Sequence, residues 1–273
     1  MQLKYSVLMS VYAKEKPEYF NSAIDSMINQ TVKPDEIIIV QDGPLPKDLY
    51  DTVWGYSERY PDLIKIIVSE KNLGLGQALN LGLQNCRNEL VARMDTDDIS
   101  LPERCEKQLR CFEINSDLSI CGTWIDEFID DIHNSISTRK LPCEHKEIFE
   151  FGKRRSPFNH PTVMYKKSAV LSCDGYSNLR RNQDVDLFGR MLFQGYKAQN
   201  IPESLLLFRT DDNLAKRRRS WENSKSYIQS ISRLHGLGYS SLFDVLIVAI
   251  GQTAMLLLPI GIQKILYKGL LRK

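Results

Sequence analysis

Short apolar runs alternate with helical patterns along the first half of the chain. The runs are brief, rich in β-branched residues and bounded by turn residues, which is typical of buried strands. They are YSVLMSV (5–11), EIIIVQ (36–41), IKIIVS (64–69) and LVARMD (90–95). Between them, apolar residues recur at three- and four-residue steps in PEYFNSAIDSMINQ, KDLYDTVWGYSERY and GQALNLGLQNC, which predicts helices. The alternation predicts an α/β fold of right-handed βαβ units, with a Rossmann-like, mainly parallel sheet flanked by helices.

Composition and charge restrict the class of protein only broadly. The 273 residues are 42% hydrophobic and 26% charged, which is typical of a globular protein and excludes a disordered or fibrous one. The formal net charge of +2 selects no partner. Six scattered cysteines without a C-x-x-C pair indicate reduced thiols in a cytosolic setting. Because no secretory signal precedes the first predicted strand, we expect no export.

The predicted strands end in residues that suit a bound ligand. Parallel α/β sheets bind ligands at the carboxyl ends of their strands. Tyr12 follows the first strand and is able to stack on a base, while Asp42 follows the second and is able to accept from a base or ribose. The third precedes KNLGLG, whose glycines would let the backbone approach a ligand. DG is also a common turn and GLG is no Rossmann fingerprint, so the joint placement carries the prediction.

Three carboxylates follow the fourth predicted strand, at Asp95, Asp97 and Asp98. Like charges held this close raise one another's pKa and are tolerated where a cation offsets them. If the strand continues through them, Asp95 and Asp97 project to the same side and suit Mn²⁺ or Mg²⁺ with a nucleotide diphosphate. The alternative for Asp98 is a solvated acidic cap of the helix predicted in LPERCEKQ.

Taken together, these motifs resemble the family 2 glycosyltransferases, inverting enzymes of the GT-A fold, of the type that builds bacterial O-antigen and exopolysaccharide repeats. The segments that carry the resemblance are SVLMSVYAKEKPEYFNSAIDSMINQT, EIIIVQDG, NLGLGQALNLGL and LVARMDTDDISLPERCEKQ, and it extends over about residues 5–210. It implies a nucleoside diphosphate sugar donor and a family D-x-D formed by Asp95 and Asp97, with Asp97 facing the metal. The donor-binding residues it implies are Val11, Tyr12, Asp42, Asn72, Gly76 and Asp95.

The second half resembles the acceptor half of that family, in KRRSPFNHPTVMYKKSAVLSCDGYSN and RRNQDVDLFGRMLFQGYKAQNIPESLLLFR. Where the family has Glu-Asp, this chain has Gln183-Asp184, and Asp184 is the implied general base. Gln183 removes an acidic neighbour that would raise the pKa of that base. Asp186 is a rival base. His160 and Arg181 are candidate acceptor contacts, against the alternatives of a turn histidine and an exposed basic face.

Other classes of protein fit the sequence less well. LVARMDTDD superficially matches the haloacid dehalogenase pattern with Asp95 as nucleophile, but at least three predicted strands precede it and no later G-D-x-x-x-D appears. The segment DTDDISLPERCE lacks the glycine that a calcium loop needs. KRRRSW (216–221) has no accompanying nucleic-acid fold motif, so we expect no nucleic-acid partner. A degenerate sugar-nucleotide-binding module is the alternative to an enzyme.

The carboxyl end is apolar and flanked by basic residues. Residues 245–263 carry no charge, but Gly251, Gln252, Pro259 and Gly261 interrupt them. KRRR (216–219) precedes the segment and four basic residues follow it. Against a buried terminal helix or a transmembrane span, this pattern favours a peripheral or monotopic anchor on the cytoplasmic face of the bacterial inner membrane.

The predicted organisation has four parts. They are a nucleotide-sugar-binding half (1–115), an acceptor-binding and catalytic-base half (116–210), a basic helical segment (211–242) and a membrane-associating end (243–273). The resemblance favours uridine diphosphate glucose or galactose as donor, a β linkage, and a lipid-diphosphate-linked saccharide as acceptor.

Overall fold

The computed structural model describes residues 3–210 and 220–257. The first half of the chain follows the predicted order of strands and helices. Its elements are β1 (Tyr5–Val11), α1 (Pro17–Ile28), β2 (Glu36–Asp42), α2 (Lys47–Arg59), β3 (Ile64–Ser69), α3 (Leu75–Asn85) and β4 (Leu90–Arg93). The four strands and three helices expected there are confirmed, although β4 ends at Arg93 rather than at Asp95.

The second half contains shorter strands and a larger share of helix. Its elements are β5 (Ile99–Ser100), α4 (Arg104–Ile114), β6 (Leu118–Phe128), β7 (Ser137–Arg139), α5 (His145–Gly152), β8 (Met164–Lys166), α6 (Lys167–Ser172), α7 (Gln183–Phe193), β9 (Lys197–Arg209), α8 (Trp221–Gly236) and α9 (Leu242–Leu257). One turn of 3-10 helix, His160–Thr162, precedes β8.

One mixed sheet joins both halves, with the described strands in the order β3-β2-β1-β4-β8-β6-β9-β5 and β7 paired to β6. The first four strands are mutually parallel, because each is connected to the next by a helix that crosses over the sheet. β8 is antiparallel to both β4 and β6, and β6 is parallel to β9. The carboxyl ends of β1, β2, β3 and β4 therefore lie along one edge.

Helices cover both faces of the sheet and enclose two apolar layers. Alternate residues of β1 enter opposite layers: Val7 packs in one and Leu8 in the other. The first layer is completed by α1, α2 and α4, and the second by α3, α6, α7 and α8. Strands buried on both faces are continuously apolar, which explains the run of isoleucines in β2.

Helix α9 exposes a large apolar surface. Val248 is buried, whereas most of the other large side chains are open to solvent. The exposed side chains are Leu242, Phe243, Leu246, Ile247, Ile250 and Leu257. Within residues 3–210 and 220–257, no helix has the length and apolarity that crossing a membrane requires. The basic segment 216–219 and residues 258–273, which include part of the predicted anchor, lie outside the described residues.

Candidate active site

The three aspartates lie on a loop rather than on a strand. Because β4 ends at Arg93, strand alternation does not place Asp95 and Asp97 on one side, and that expectation was wrong. The loop nevertheless brings them together, since one carboxylate oxygen from each of Asp95, Asp97 and Asp98 lies within 4.8 Å of the others. The predicted cluster of oxygen ligands is therefore present at the carboxyl edge of the parallel strands.

Asp98 is not the solvated helix cap that the sequence left as an alternative. Its side chain is fully buried, and its Oδ1 accepts the backbone N–H of Arg209 at 2.8 Å. Helix α4 begins later, at Arg104, with Glu103 in the capping position. Burial raises the pKa of Asp98 well above its usual range, and the charges of Asp97 and Asp95 raise it further.

Two arginines that the sequence analysis did not single out hold this loop. Arg93 is 1% exposed, and its guanidinium forms an ion pair with Asp95. The guanidinium of Arg209 lies 4.0 Å from the ring centroid of Tyr19 and 4.5 Å from that of Phe128, and its Nε donates to the Asp97 carbonyl at 3.0 Å. An arginine inside an apolar strand is a detectable signal, because arginine is seldom fully buried without a partner. The sequence around Arg209 contains no comparable signal.

A third buried arginine connects the aspartate loop to the FNHPT segment. Arg104 is fully buried, and its Nη1 donates to the carbonyls of Arg93 at 3.2 Å and Pro161 at 2.7 Å. Five planar donors let one arginine bridge two chain segments in a fixed geometry. The end of β4 and the turn containing His160 are thus held in register.

Asp42 organises the neighbouring glycine loop. Its buried carboxylate accepts the backbone N–H groups of Leu73 at 2.6 Å and Gly74 at 3.1 Å. The side-chain amide of Asn72 donates to the Asp42 carbonyl at 3.2 Å. Gly74 has φ = +83°, which favours glycine. Asp42 therefore shapes the predicted donor loop, and contact of Asp42 or Asn72 with a nucleotide stays a prediction.

The remaining donor-side residues lie near that edge in different environments. Val11 is fully buried in the core, so only its backbone is available to a ligand. Tyr12 is half-buried just beyond β1. A Cβ added to Gly76 would lie 3.1 Å from the Ser177 carbonyl and 3.3 Å from the Tyr176 side chain. The space beside Gly76 is therefore filled by Tyr176 and Ser177 of this protein.

Asp184 lies in the first turn of α7, where backbone N–H groups are unpaired. The Ser156 hydroxyl lies 3.2 Å from its Oδ2. Burial raises the pKa of Asp184, whereas the nearby backbone N–H groups, Ser156 and Arg139 act against that rise. A carboxylate with a raised pKa is a better proton acceptor near neutral pH than an ordinary one.

The rival base, Asp186, is already engaged. It is fully buried and accepts from Arg190 at 2.8 Å, with Arg233 at 3.7 Å. Two cations stabilise its charge inside the protein, and no surface is left for an acceptor. Gln183 is also buried, packed against Gly76. This arrangement favours Asp184 over Asp186 as the base.

Tyr176 connects the two acidic regions. Its buried hydroxyl lies 2.9 Å from His160 Nε2. Burial raises the pKa of Tyr176, and the charges of Asp184 and Asp95 add to the rise. Burial and the Arg93 charge lower the pKa of His160, which keeps its ring neutral. Tyr176 therefore links the turn containing His160 to Gly76, where Gln183, the residue before Asp184, also packs.

Arg181 lies at the edge of this region. Its guanidinium is 4.0 Å from the Glu222 carboxylate, and the Ser226 hydroxyl donates to its carbonyl. His160 packs on Phe188 at 5.9 Å between ring centroids, in addition to its contact with Tyr176. Both residues have partners within the protein, and acceptor contact by either stays a prediction.

The aspartate cluster fits a hard divalent cation. Its donors are all carboxylate oxygens, and Asp98 Oδ2 is buried without a hydrogen-bond partner. Asp95 and Asp97 are only half-buried, so a cation held by them would keep open positions for phosphate oxygens.

Comparison with known proteins establishes the family. Residues 6–179 match the family described as glycosyl transferase family 2, and the chain belongs to it. A relative named amylovoran biosynthesis glycosyltransferase AmsE, from Erwinia amylovora, is 34% identical, covering 97% of this chain and 98% of its own. An Escherichia coli relative named UDP-Gal:alpha-D-GlcNAc-diphosphoundecaprenol beta-1,3-galactosyltransferase is 35% identical, covering 99% and 97%. The predicted resemblance and its polysaccharide-building type are confirmed.

A solved structure places the fold in the same group. The mannosyltransferase PcManGT from Pyrobaculum calidifontis, in complex with GDP-Man and Mn²⁺, superposes with a TM-score of 0.66 at 14% identity, covering 98% of this chain and 80% of that one. The fold is that of the GT-A glycosyltransferases, as predicted. The chain is accordingly a glycosyltransferase enzyme.

Proposed function

We propose that this enzyme transfers a hexose from a nucleoside diphosphate sugar to a hydroxyl of a lipid-diphosphate-linked saccharide, with inversion at the anomeric carbon. The observation that carries the proposal is a chain of contacts through Tyr176. Its hydroxyl lies 2.9 Å from His160, in the turn that Arg104 joins to the end of β4, and its side chain packs at Gly76 together with Gln183, the residue before Asp184. A cation-holding cluster and a proton acceptor with a raised pKa, brought to one site, are the groups that inverting transfer needs.

In this mechanism Asp184 acts on the acceptor. Its carboxylate takes the proton of the acceptor hydroxyl while that oxygen attacks the anomeric carbon, and the bond from that carbon to the donor phosphate breaks. The Ser156 hydroxyl and the amino end of α7 hold the carboxylate in place. Water must be excluded from the same position, and the buried Tyr176 ring, 5.5 Å between centroids from the ring of the half-buried His160, would contribute to this exclusion.

The aspartate cluster acts on the leaving group. Mn²⁺ or Mg²⁺ held by Asp97 and Asp95 would offset the charge of the departing nucleoside diphosphate. Arg93 keeps the Asp95 carboxylate fixed for this task, and Arg209 fixes the backbone at Asp97. We expect transfer to stop on chelation and to return with manganese or magnesium, and full activity in excess chelator would contradict this assignment.

The substrates follow from the relatives and the motifs. The name of the Escherichia coli relative contains a UDP-galactose donor, a diphosphoundecaprenol-linked acceptor and a β linkage. With coverage of nearly both full chains, this supports uridine diphosphate galactose or glucose as donor, a β-linked product, and a place in O-antigen or exopolysaccharide assembly. Val11, Tyr12, Asp42, Asn72 and Gly76 stay the proposed donor-side residues.

A panel of nucleotide sugars tests this function. Purified full-length enzyme is incubated with each donor and a lipid-diphosphate-linked N-acetylhexosamine, and products are identified by mass and linkage. We expect one uridine diphosphate hexose to be used far better than the rest. Donor binding without release of sugar to any acceptor or to water would instead indicate the degenerate binding module.

Membrane docking through α9 completes the proposal. A lipid-linked acceptor requires an enzyme at the inner membrane surface, and α9 presents an apolar face with Arg154 beside Phe243 at its start. An exposed apolar helix face suits insertion into the surface of the cytoplasmic leaflet. Truncation before Phe243 would leave donor binding intact but weaken use of lipid acceptors.

Point substitutions provide the sharper test, because truncation also removes Asp244, which pairs with Arg154. Leu246→Glu with Ile250→Glu should reduce binding to vesicles of anionic phospholipid. Ile114→Glu is the matched control, since Ile114 is 87% exposed on α4. Equal vesicle binding by both variants and the parent would place the anchor elsewhere.

A further inference from the structure

Three consecutive residues connect the apolar helix α9 to the proposed base. The Arg154 guanidinium pairs with Asp244 of α9 and lies 5.9 Å from the Phe243 ring centroid. Two residues later, the Ser156 hydroxyl lies 3.2 Å from the Asp184 carboxylate. Because each residue spans at most about 3.6 Å, this path covers only about 7 Å. Arg155 therefore lies in the chain between the residue that contacts α9 and the residue that contacts the proposed base, Asp184.

The charge of Arg155 differs from that of its two basic neighbours. Lys153 pairs with Glu150 at 2.8 Å, and Arg154 pairs with Asp244, so both are neutralised within the protein. In the part of the chain that the structure describes, no carboxylate forms an ion pair with Arg155, whose guanidinium lies 5.3 Å from the Phe151 ring centroid. Among the described residues, its positive charge is therefore not offset by a carboxylate.

A second cation lies on the same side of the base. Burial raises the pKa of Tyr227 to about 12, and the nearby cations of Arg155 and Arg139 act against that rise. Tyr227, on α8, also donates to the Arg154 carbonyl at 3.2 Å, which fixes the backbone of this segment. Arg139 belongs to β7 and lies near enough to Asp184 to lower its pKa. Arg139 and Arg155 thus border the Asp184 region from two elements.

We propose that Arg155 binds the diphosphate of the lipid-linked acceptor, with the saccharide directed to Asp184 and the lipid chain to the apolar face of α9. Guanidinium groups bind phosphate oxygens bidentately, which suits a diphosphate that must be held at a fixed distance from the attacking hydroxyl. The inference rests on the proposed lipid-diphosphate acceptor and names the residues of the chain that recognise it.

Binding can be measured without the transfer reaction. Full-length enzyme is saturated with UDP, so that the donor site is filled, and titrated with dodecyl diphosphate by calorimetry. Arg155→Gln should weaken this binding about 10-fold or more, since a hydrogen-bonded charge is lost. Arg155→Lys should restore part of it, because the charge returns without the bidentate geometry. Arg110→Gln, an exposed arginine on α4, is the matched control and should bind as the parent does.

Acceptor kinetics give the second readout. Arg155→Gln should raise the KM of a saccharide linked to dodecyl diphosphate about 10-fold more than that of the same saccharide as a neutral dodecyl glycoside. Equal weakening for both acceptors, or dodecyl diphosphate binding identical to the parent, would overturn the site. If the parent binds dodecyl diphosphate through Arg155 but transfers no sugar, the proposed function fails while the diphosphate site stands.

Discussion

The two acidic regions of this enzyme manage negative charge in opposite ways. The aspartate loop after β4 concentrates three carboxylates and surrounds them with fixed cations, namely Arg93 in an ion pair with Asp95 and Arg209 against the backbone of Asp97. Asp184, at the start of α7, is a single carboxylate held by the Ser156 hydroxyl and by backbone N–H groups.

The difference matches the ligand that we propose for each region. Clustered carboxylates repel one another and suit a cation that offsets their charge. A single half-buried carboxylate with a raised pKa suits a proton that arrives and leaves in every cycle. The Asp95 carboxylate is offset by an arginine in direct contact, whereas Asp184 is held by neutral donors, with the charge of Arg139 nearby.

The largest expected effect is on the cation-holding side. Asp97→Asn should lower turnover by about 10³-fold or more, because charge on the leaving diphosphate would no longer be offset. The half-buried side chain contributes little packing, so the melting temperature should change little. Asp130→Asn, on the exposed loop after β6, is the matched control. Near-parental turnover of Asp97→Asn would remove Asp97 from the site.

Two aspartates on α7 should respond oppositely in stability. Asp186→Asn leaves Arg190 and Arg233 without their partner and should cost about 3–5 kcal/mol of unfolding free energy. Asp184→Asn should instead stabilise the protein at neutral pH. The folded-state pKa of Asp184 is raised, so ionisation destabilises the fold fully above that pKa; the cost falls as the pH drops below it and is lost below the unfolded-state pKa. Urea unfolding at neutral and acidic pH measures the free energy of unfolding of both variants. Equal destabilisation by the two substitutions would contradict the expected difference between Asp184 and Asp186.

Arg93 tests how far the aspartate loop depends on its buried cation. Arg93→Lys keeps the charge but loses the planar guanidinium, so Asp95 should lose its orientation. We expect nucleotide affinity in the presence of Mn²⁺ to fall about 10-fold, with a smaller change without the metal. Isothermal titration under both conditions measures the difference. An equal loss in both would point to a general packing defect rather than a positioning role.

The smallest expected effect concerns the proton-accepting side. The Ser156 hydroxyl stabilises the ionised form of Asp184, so Ser156→Ala should raise the Asp184 pKa further. Because the base acts when ionised, the acidic limb of kcat/KM should move to higher pH, with little change at alkaline pH. Ser116→Ala, at an exposed position, is the control. An unmoved acidic limb would mean that another group limits the rate.

The first half of the fold was predictable because its signals are local. Each strand of the β1–β4 region is a short apolar run, and each intervening helix carries its own periodicity. The second half depends on distant partners. The three residues of β8, MYK, lie between β4 and β6 in the sheet. Both partner strands are distant from β8 in sequence, and these three residues alone do not predict the pairing.

The site divides in the same way. The aspartate cluster and Asp184 were visible from motif resemblance, because their chemistry lies in the residue types themselves. Arg209, Ser156 and Tyr176 were not, since each acts through a contact with a residue at least 28 positions away or through a shared environment. The predicted role of Asp42 illustrates the limit, because its carboxylate accepts from the 73–74 backbone that the sequence only placed nearby.

The central claim is that the aspartate cluster acts on the donor and Asp184 acts on the acceptor. It is tested most directly by measuring turnover and donor affinity together in Asp184→Asn. The account predicts loss of transfer with nucleotide-sugar affinity equal to that of the parent, because this carboxylate acts on the acceptor hydroxyl and not on the donor. Parental turnover in Asp184→Asn, or donor affinity lost together with turnover in a folded protein, would contradict it.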